Sequence, residues 1–136
     1  MKYYSISEAS AMFNVPESTL RYYEKKGLLP LIERDEAGRR LFSEIQITLL
    51  KVVTNLKNTH MPIRGIKQYV DWVVEGDRTT ELRLEMLKNH KQVVLDEISQ
   101  MNEALEGIDV KIATYTKRVQ ERKKNEVKNN GEEALL

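Results

Sequence analysis

The sequence predicts a mainly α-helical chain in which four short helices and one hairpin precede a single long helix. Three observations predict it. Helix start and stop signals divide the first 76 residues into short segments. A turn-forming stretch lies between two extended candidates near residue 36. From Thr80 onward, apolar residues recur at the spacing of a coiled-coil seam.

The first helix is announced by "YYSISEASAMFNV". Ser5 and Glu8 form a capping box, in which each side chain satisfies an orphan backbone donor of the other residue. Ile6, Ala9, Met12 and Phe13 are then expected on one face. Asn14-Val15-Pro16 breaks the helix, and proline is tolerated where the next one begins. The second helix is expected to run to Lys26, with Gly27 just past its end. Two short helices joined by a tight turn make a helix-turn-helix candidate.

"LPLIERDEAGRRLF" follows. Leu31 to Arg34 and Arg39 to Phe42 are extended candidates around the turn Asp35-Glu36-Ala37-Gly38, a hairpin signal. Ser43 with Gln46 reads as a second capping box, opening a helix to about Asn58. Pro62 opens a fourth helix that closes near Gly76. Residues 1–76 are therefore expected to form one domain.

Beyond Thr80 the period changes. Val94, Ile98, Met101, Leu105, Ile108, Ile112, Tyr115 and Val119 alternate in steps of four and three, and Leu84 and Leu87 extend the series backwards across Lys91. This strip is too narrow for a globular core and demands a partner helix. A helix of roughly 40 residues would reach about 60 Å at 1.5 Å per residue. Residues 80–122 are thus expected to form a dimerisation coiled coil. The charged stretch 123–136 carries little period and is expected to be a disordered tail.

Composition narrows the function classes. The chain of 136 residues has no cysteine, which excludes a disulfide framework, thiolate metal sites and a cysteine nucleophile. It has no apolar run of membrane length and no signal peptide at its first residues, so no membrane association and a cytoplasmic location are expected. The net charge is only +1, but its distribution is uneven. Residues 1–70 hold 11 Lys and Arg against 7 Asp and Glu, whereas residues 71–110 hold 4 against 10. The basic excess lies with the helix-turn-helix candidate, where a nucleic-acid partner would need it. No Ser/His/Asp set, phosphate loop or metal-ligand cluster is present, so neither an enzyme nor a metal or other cofactor is expected.

Within the second helix, Leu20 and Tyr23 share one face, while Ser18, Arg21, Tyr22 and Lys25 share the other. The pattern sends Tyr23 inward beside Leu20 and Tyr22 outward beside Arg21. Such an outer face offers charged and neutral donors to phosphate oxygens or base edges. A merely solvated face would carry similar residues. The preceding helix and turn favour recognition, because they put this helix where a DNA-reading helix stands. Arg39 and Arg40, just past the turn glycine, add a second candidate contact, against the simpler reading of an edge strand blunted by charge.

The stretches "ISEASAMFNVPESTLRYYEKKGLLP" and "GRRLFSE", followed by a long terminal seam, resemble the MerR family of bacterial transcription regulators over residues 1 to about 122. The resemblance implies a winged helix-turn-helix that binds a palindromic element of double-stranded promoter DNA as a homodimer. Dimerisation would come from antiparallel pairing of the C-terminal helices. It further implies DNA contacts at Ser18, Thr19, Arg21, Tyr22 and Lys25 of the recognition helix and at Arg40 of the wing. Such regulators work with RNA polymerase at the promoter, bending and untwisting an overlong spacer. Two departures stand out. Pro16 occupies a place where a capping Ser or Thr is usual, and Arg39 and Phe42 replace wing positions that are commonly tyrosine.

The segment "VVTNLKNTHMPIRGIKQYVDWVVEGDRT" is similar to a short subgroup that responds to aldehydes or other electrophiles. Asn55 stands where that subgroup has its sensing cysteine, so no thiolate nucleophile exists. His60 and His90, the only histidines, read as surface side chains. Tyr69 and Trp72 are candidate walls for a small noncovalent effector, with Lys67 or Arg64 supplying charge; their simpler reading is as core and flank of the fourth helix. Two other readings compete with the promoter regulator. One is an architectural or excisionase-like winged-helix DNA-binding protein without promoter activation, and the other a coiled-coil scaffold whose N-terminal bundle binds protein.

Overall fold

The computed structural model describes residues 2–129. They fall into two compact units, Met1–Lys91 and Gln92–Leu136. The first unit holds β1 (Tyr3–Tyr4), α1 (Ile6–Phe13), α2 (Glu17–Lys25), β2 (Glu33–Arg34), β3 (Arg40–Ser43), α3 (Glu44–Asn58) and α4 (Ile63–Glu75). A 3-10 turn, Asp77–Thr79, then leads into α5 (Thr80–Asn129).

Local hydrogen bonds explain the helix ends. Ser5 Oγ accepts from the Glu8 amide at 3.0 Å and Glu8 Oε1 accepts from the Ser5 amide at 2.9 Å, so the capping box of α1 is complete. The stop signal of α1 is Asn14 in the left-handed region, φ 52°, with the Val15 amide donating back to the Ser10 carbonyl at 3.1 Å. α2 stops by the same device. Gly27 has φ 78°, its amide donates to Glu24 O at 3.0 Å, and the Leu28 amide donates to Tyr23 O at 2.8 Å. α3 repeats it with His60 at φ 67°, a conformation that L side chains seldom adopt.

The sheet order is β1-β3-β2, antiparallel throughout. Tyr4 pairs with Phe42, and Arg34 with Arg40. The wing is shorter than the sequence suggests, because Leu31 and Ile32 turn before pairing begins and Leu31 takes φ 61°. Its tip is a tight turn closed by a left-handed glycine. Gly38 (φ 80°) donates to Asp35 O at 2.9 Å, and the Asp35 amide donates to Arg39 O at 2.9 Å. β1 is an element the sequence reading lacks. Two residues carry no period, and only pairing with β3 makes them a strand.

The core gathers Ala9, Leu20, Tyr23, Leu28, Phe42, Leu50, Val53, Ile66 and Val70 between the helices and the sheet. Each fully buried large side chain contributes roughly 1.5–3 kcal/mol relative to exposure. Ile6 and Phe13 pack against this core, but Met12 is exposed and does not share their face. Ser43 caps α3 by accepting from the Gln46 amide at 3.2 Å, but the expected reciprocal bond is missing. The Gln46 side chain instead donates to Pro30 O at 2.6 Å, tying α3 to the loop before the wing.

The first unit extends beyond the expected boundary at residue 76, to Lys91. Met86 and Leu87 pack against its core, and Thr59 Oγ1 lies 2.8 Å from His90 Nε2. Leu87 is therefore core rather than seam, and His90 is a bonded, half-buried side chain rather than a free surface one. In the same unit an open groove of about 380 Å³ lies among α3, α4 and the start of α5.

In the second unit α5 runs on to Asn129, past the expected end at 122. Residues 123–129 are helical rather than disordered, since Lys, Glu and Asn hold a helix once it is nucleated and no Gly or Pro interrupts before Gly131. The rest of the expected tail, residues 130–136, lies outside the described residues. Ile98, Met101, Leu105, Ile108, Ile112, Tyr115 and Val119 are all exposed, and Val94 is half-buried.

Candidate nucleic-acid interface

α2 is anchored from below and bare above. Leu20 is fully buried and Tyr23 nearly so, and both belong to the core. That fixes the rotation of the helix and leaves Ser18, Arg21, Tyr22 and Lys25 exposed, with Thr19 half-buried. Burial, and then the neighbouring Tyr22, raises the Tyr23 hydroxyl above its ordinary pKa, so it stays protonated.

The outer face is cationic and aromatic. Lys26 Nζ lies 5.7 Å from the centroid of the Tyr22 ring, within cation–π range. The Tyr22 and Tyr23 rings are 6.3 Å apart at 55°. Arg21 Nη2 reaches Glu17 Oε1 at 3.2 Å, a solvated pair one helical turn apart that holds the guanidinium weakly. Arg21 and Tyr22 are thus exposed to solvent, as the sequence spacing predicts. Lys26, absent from the sequence reading, joins them; its one signal was adjacency to Lys25.

The two wing arginines differ. Arg39 is 80% exposed and donates from Nε to Asp35 Oδ2 at 2.9 Å, at the turn itself. Asp35 also accepts from the backbone amides of Arg39 at 2.9 Å and Ala37 at 3.0 Å. The Arg39 amide is the largest cause that holds the Asp35 carboxyl below its ordinary pKa, opposed by desolvation and aided by the Arg39 side chain. Arg40 is half-buried, and its Nε donates to Glu24 Oε1 of α2 at 2.8 Å. The same oxygen accepts from Arg34 Nη2 at 3.2 Å, while Arg34 Nη1 donates to Gly38 O at 2.9 Å. Glu24 therefore clamps the wing to α2. Sequence reasoning missed this residue, whose one trace is a lone acid inside "RYYEKK". Arg40 positions the wing in addition to presenting its remaining donors.

The two effector candidates differ in burial. Tyr69 is buried and lines the groove, but Trp72 is not among the groove residues. Trp72 is half-buried. Lys67 pairs with Asp71 at 2.9 Å and overlies Gly27. Among the described residues no group of three or more His, Cys, Asp or Glu is placed to hold a metal ion, and no helix is long and apolar enough to cross a membrane.

Comparison with known proteins agrees with this geometry. The family described as MerR HTH family regulatory protein matches residues 4–71. An HTH-type transcriptional regulator of Haemophilus influenzae is 34% identical over 114 residues, covering 84% of each chain. The crystal structure of HiNmlR, a MerR family regulator lacking the sensor domain, bound to promoter DNA, superposes with a TM-score of 0.78 at 34% identity, covering 85% of this chain and 92% of that one. A MerR family transcriptional regulator from Bacillus thuringiensis superposes with a TM-score of 0.78 at 41% identity, covering 84% of this chain and 100% of that one.

Proposed function

The chain belongs to the MerR family of helix-turn-helix regulatory proteins and is a DNA-binding regulator of transcription, and on that premise we propose that it acts as a homodimer on a palindromic promoter element. The observation that carries this reading is the outward face of α2. Arg21, Tyr22 and Lys25 project from a helix whose opposite side is locked into the core, and Glu24 holds the wing beside it. Phosphate contacts from Arg39, Lys25 and Lys26 would set the register, and Ser18, Thr19, Arg21 and Tyr22 would face the base edges.

The exposed seam of α5 supports the dimer. Its eight positions are symmetric about the midpoint between Glu106 and Gly107. Antiparallel pairing therefore brings Val94 to Val119, Ile98 to Tyr115, Met101 to Ile112 and Leu105 to Ile108, so that each of the eight meets another of them. Two recognition helices held at fixed separation suit an inverted repeat, and bending or untwisting the spacer between polymerase elements is how such a dimer would act on RNA polymerase.

The test is a titration of labelled DNA taken from upstream of the gene, carrying an inverted repeat or a single half-site. Two chains should bind per repeat, with affinity falling roughly a thousandfold between 50 and 200 mM salt. A circular-permutation gel should show bending. Equal affinity for the single half-site, with one chain bound per DNA, would overturn the dimeric reading.

A further inference from the structure

The seam of α5 is apolar along its length, so it attracts a partner helix in either orientation, and the charges beside it are what can choose between them. From Gln92 to Glu106 the helix carries four acids and no lysine or arginine. From Gly107 to Glu121 it carries three lysines and arginines against two acids. The two halves thus hold charges of −4 and +1. Parallel pairing would lay the acidic half on its own copy, whereas antiparallel pairing lays it on the half that is net positive. Two residues carry this contrast to the edge of the seam. Glu97 precedes Ile98 and Arg118 precedes Val119, three heptads apart, so both flank the seam on the same edge. Both are exposed, and among the described residues neither is joined to an opposite charge. The Arg118 guanidinium lies 5.4 Å from the centroid of the Tyr115 ring, which draws it toward a seam residue.

We propose that Glu97 pairs with Arg118 of the partner subunit, and that this pair, formed twice by symmetry, selects a second copy of this chain in the antiparallel orientation. The proposal rests on the dimer proposed above and names the charges that enforce it. In that register Glu97 faces Thr116, two residues from Arg118, an axial offset of about 3 Å that two long side chains span. Tyr115 faces Ile98, the neighbour of Glu97, so the ring that holds Arg118 stands in the same layer. In a parallel pair the same edge would set Glu97 against Asn102 and Arg118 against Lys123, with no attraction at the first and repulsion at the second. A helix of another regulator that lacks this order of acid and base forfeits both pairs, so the device favours self-association.

Orientation is tested first, on the full chain. It has no cysteine, so a chain carrying Met101→Cys and a tagged chain carrying Ile112→Cys can be coexpressed and oxidised without background. Disulfides should join the two kinds of chain, since the bond needs Cα atoms within about 7 Å. Disulfides between like chains, or a monomer in sedimentation, would overturn the antiparallel dimer and the charge pair with it. The pair is then tested with Glu97→Arg, Arg118→Glu and both together. Both side chains are exposed, so circular dichroism should be unchanged. Each single reversal turns two attractions into two repulsions and should raise the dimer dissociation constant roughly tenfold. The double variant should return to within about threefold of the unmodified chain, because its charges attract again with their places exchanged. Coexpressed with the unmodified chain, the double variant should form few mixed dimers, since Glu would face Glu and Arg would face Arg. An antiparallel dimer whose dissociation ignores the single reversals overturns the pair alone. So does a double variant that fails to recover, or one that mixes with the unmodified chain at the statistical half.

Discussion

Replacing Glu24 tests whether the wing is held by one carboxylate. Glu24 Oε1 accepts from Arg40 Nε at 2.8 Å and Arg34 Nη2 at 3.2 Å. Side chains of Glu24 and Arg40 are 24% and 23% exposed, so water competes little for their bond. A charge-assisted bond of this kind contributes roughly 1.5–3 kcal/mol. The Arg34 side chain is 44% exposed, which puts its bond in the range of solvated pairs, roughly 0–1 kcal/mol. Glu24→Ala should therefore cost about 2 kcal/mol, and the Glu24–Arg40 coupling should be about 1.5 kcal/mol. The assay is a double-mutant cycle, Glu24→Ala, Arg40→Ala and both, followed by urea denaturation at one protein concentration. Coupling below about 0.5 kcal/mol, as found for unconnected sites, would refute the clamp. Arg40 would then serve the DNA alone.

Four further outcomes are expected. Arg21→Ala should weaken operator binding and flatten the salt slope by about one unit per subunit, with an unchanged melting temperature, because its pair with Glu17 is solvated; a large loss of stability would mean the side chain is structural. Leu105→Glu puts a charge at the centre of the seam, and sedimentation should then show monomer; a dimer persisting at micromolar concentration would end the seam assignment. His60→Gly should stabilise the chain by roughly 0.5–1 kcal/mol, since a left-handed residue with a side chain costs about 1–2 kcal/mol and glycine returns part of that as unfolded-state entropy; thermal denaturation reads the sign. Asp35 has a lowered folded pKa, so its contribution to the wing turn is present above the ordinary carboxylate value near 3.8 and is lost as pH falls through the lower folded value. The Arg39 and Ala37 amide signals should shift across that acid window, and Asp35→Asn should abolish the shift.

The sequence by itself determined whatever is decided within about one helical turn. The Ser5–Glu8 box, the stops at Asn14 and Gly27, and the rotation of α2 that buries Leu20 and Tyr23 all depend on neighbours three or four residues apart, and each stood where the spacing put it. The missing cysteine at Asn55 was equally plain. The tertiary structure alone decided what depends on where distant chain segments pass. Two residues became β1 because β3 runs beside them. Gln46 left its box for Pro30, sixteen residues away, and Glu24 met Arg40 at the same separation. Leu87 fits the seam period but went to the core, because at the start of α5 the nearest apolar surface is the first unit. Tyr69 is buried and lines the groove beside Arg83, whereas Trp72, three residues on, is half-buried, a difference that their shared helix period does not encode. A periodic pattern states that a face must be covered; which surface covers it is set by the path of the rest of the chain, and no local spacing encodes that path.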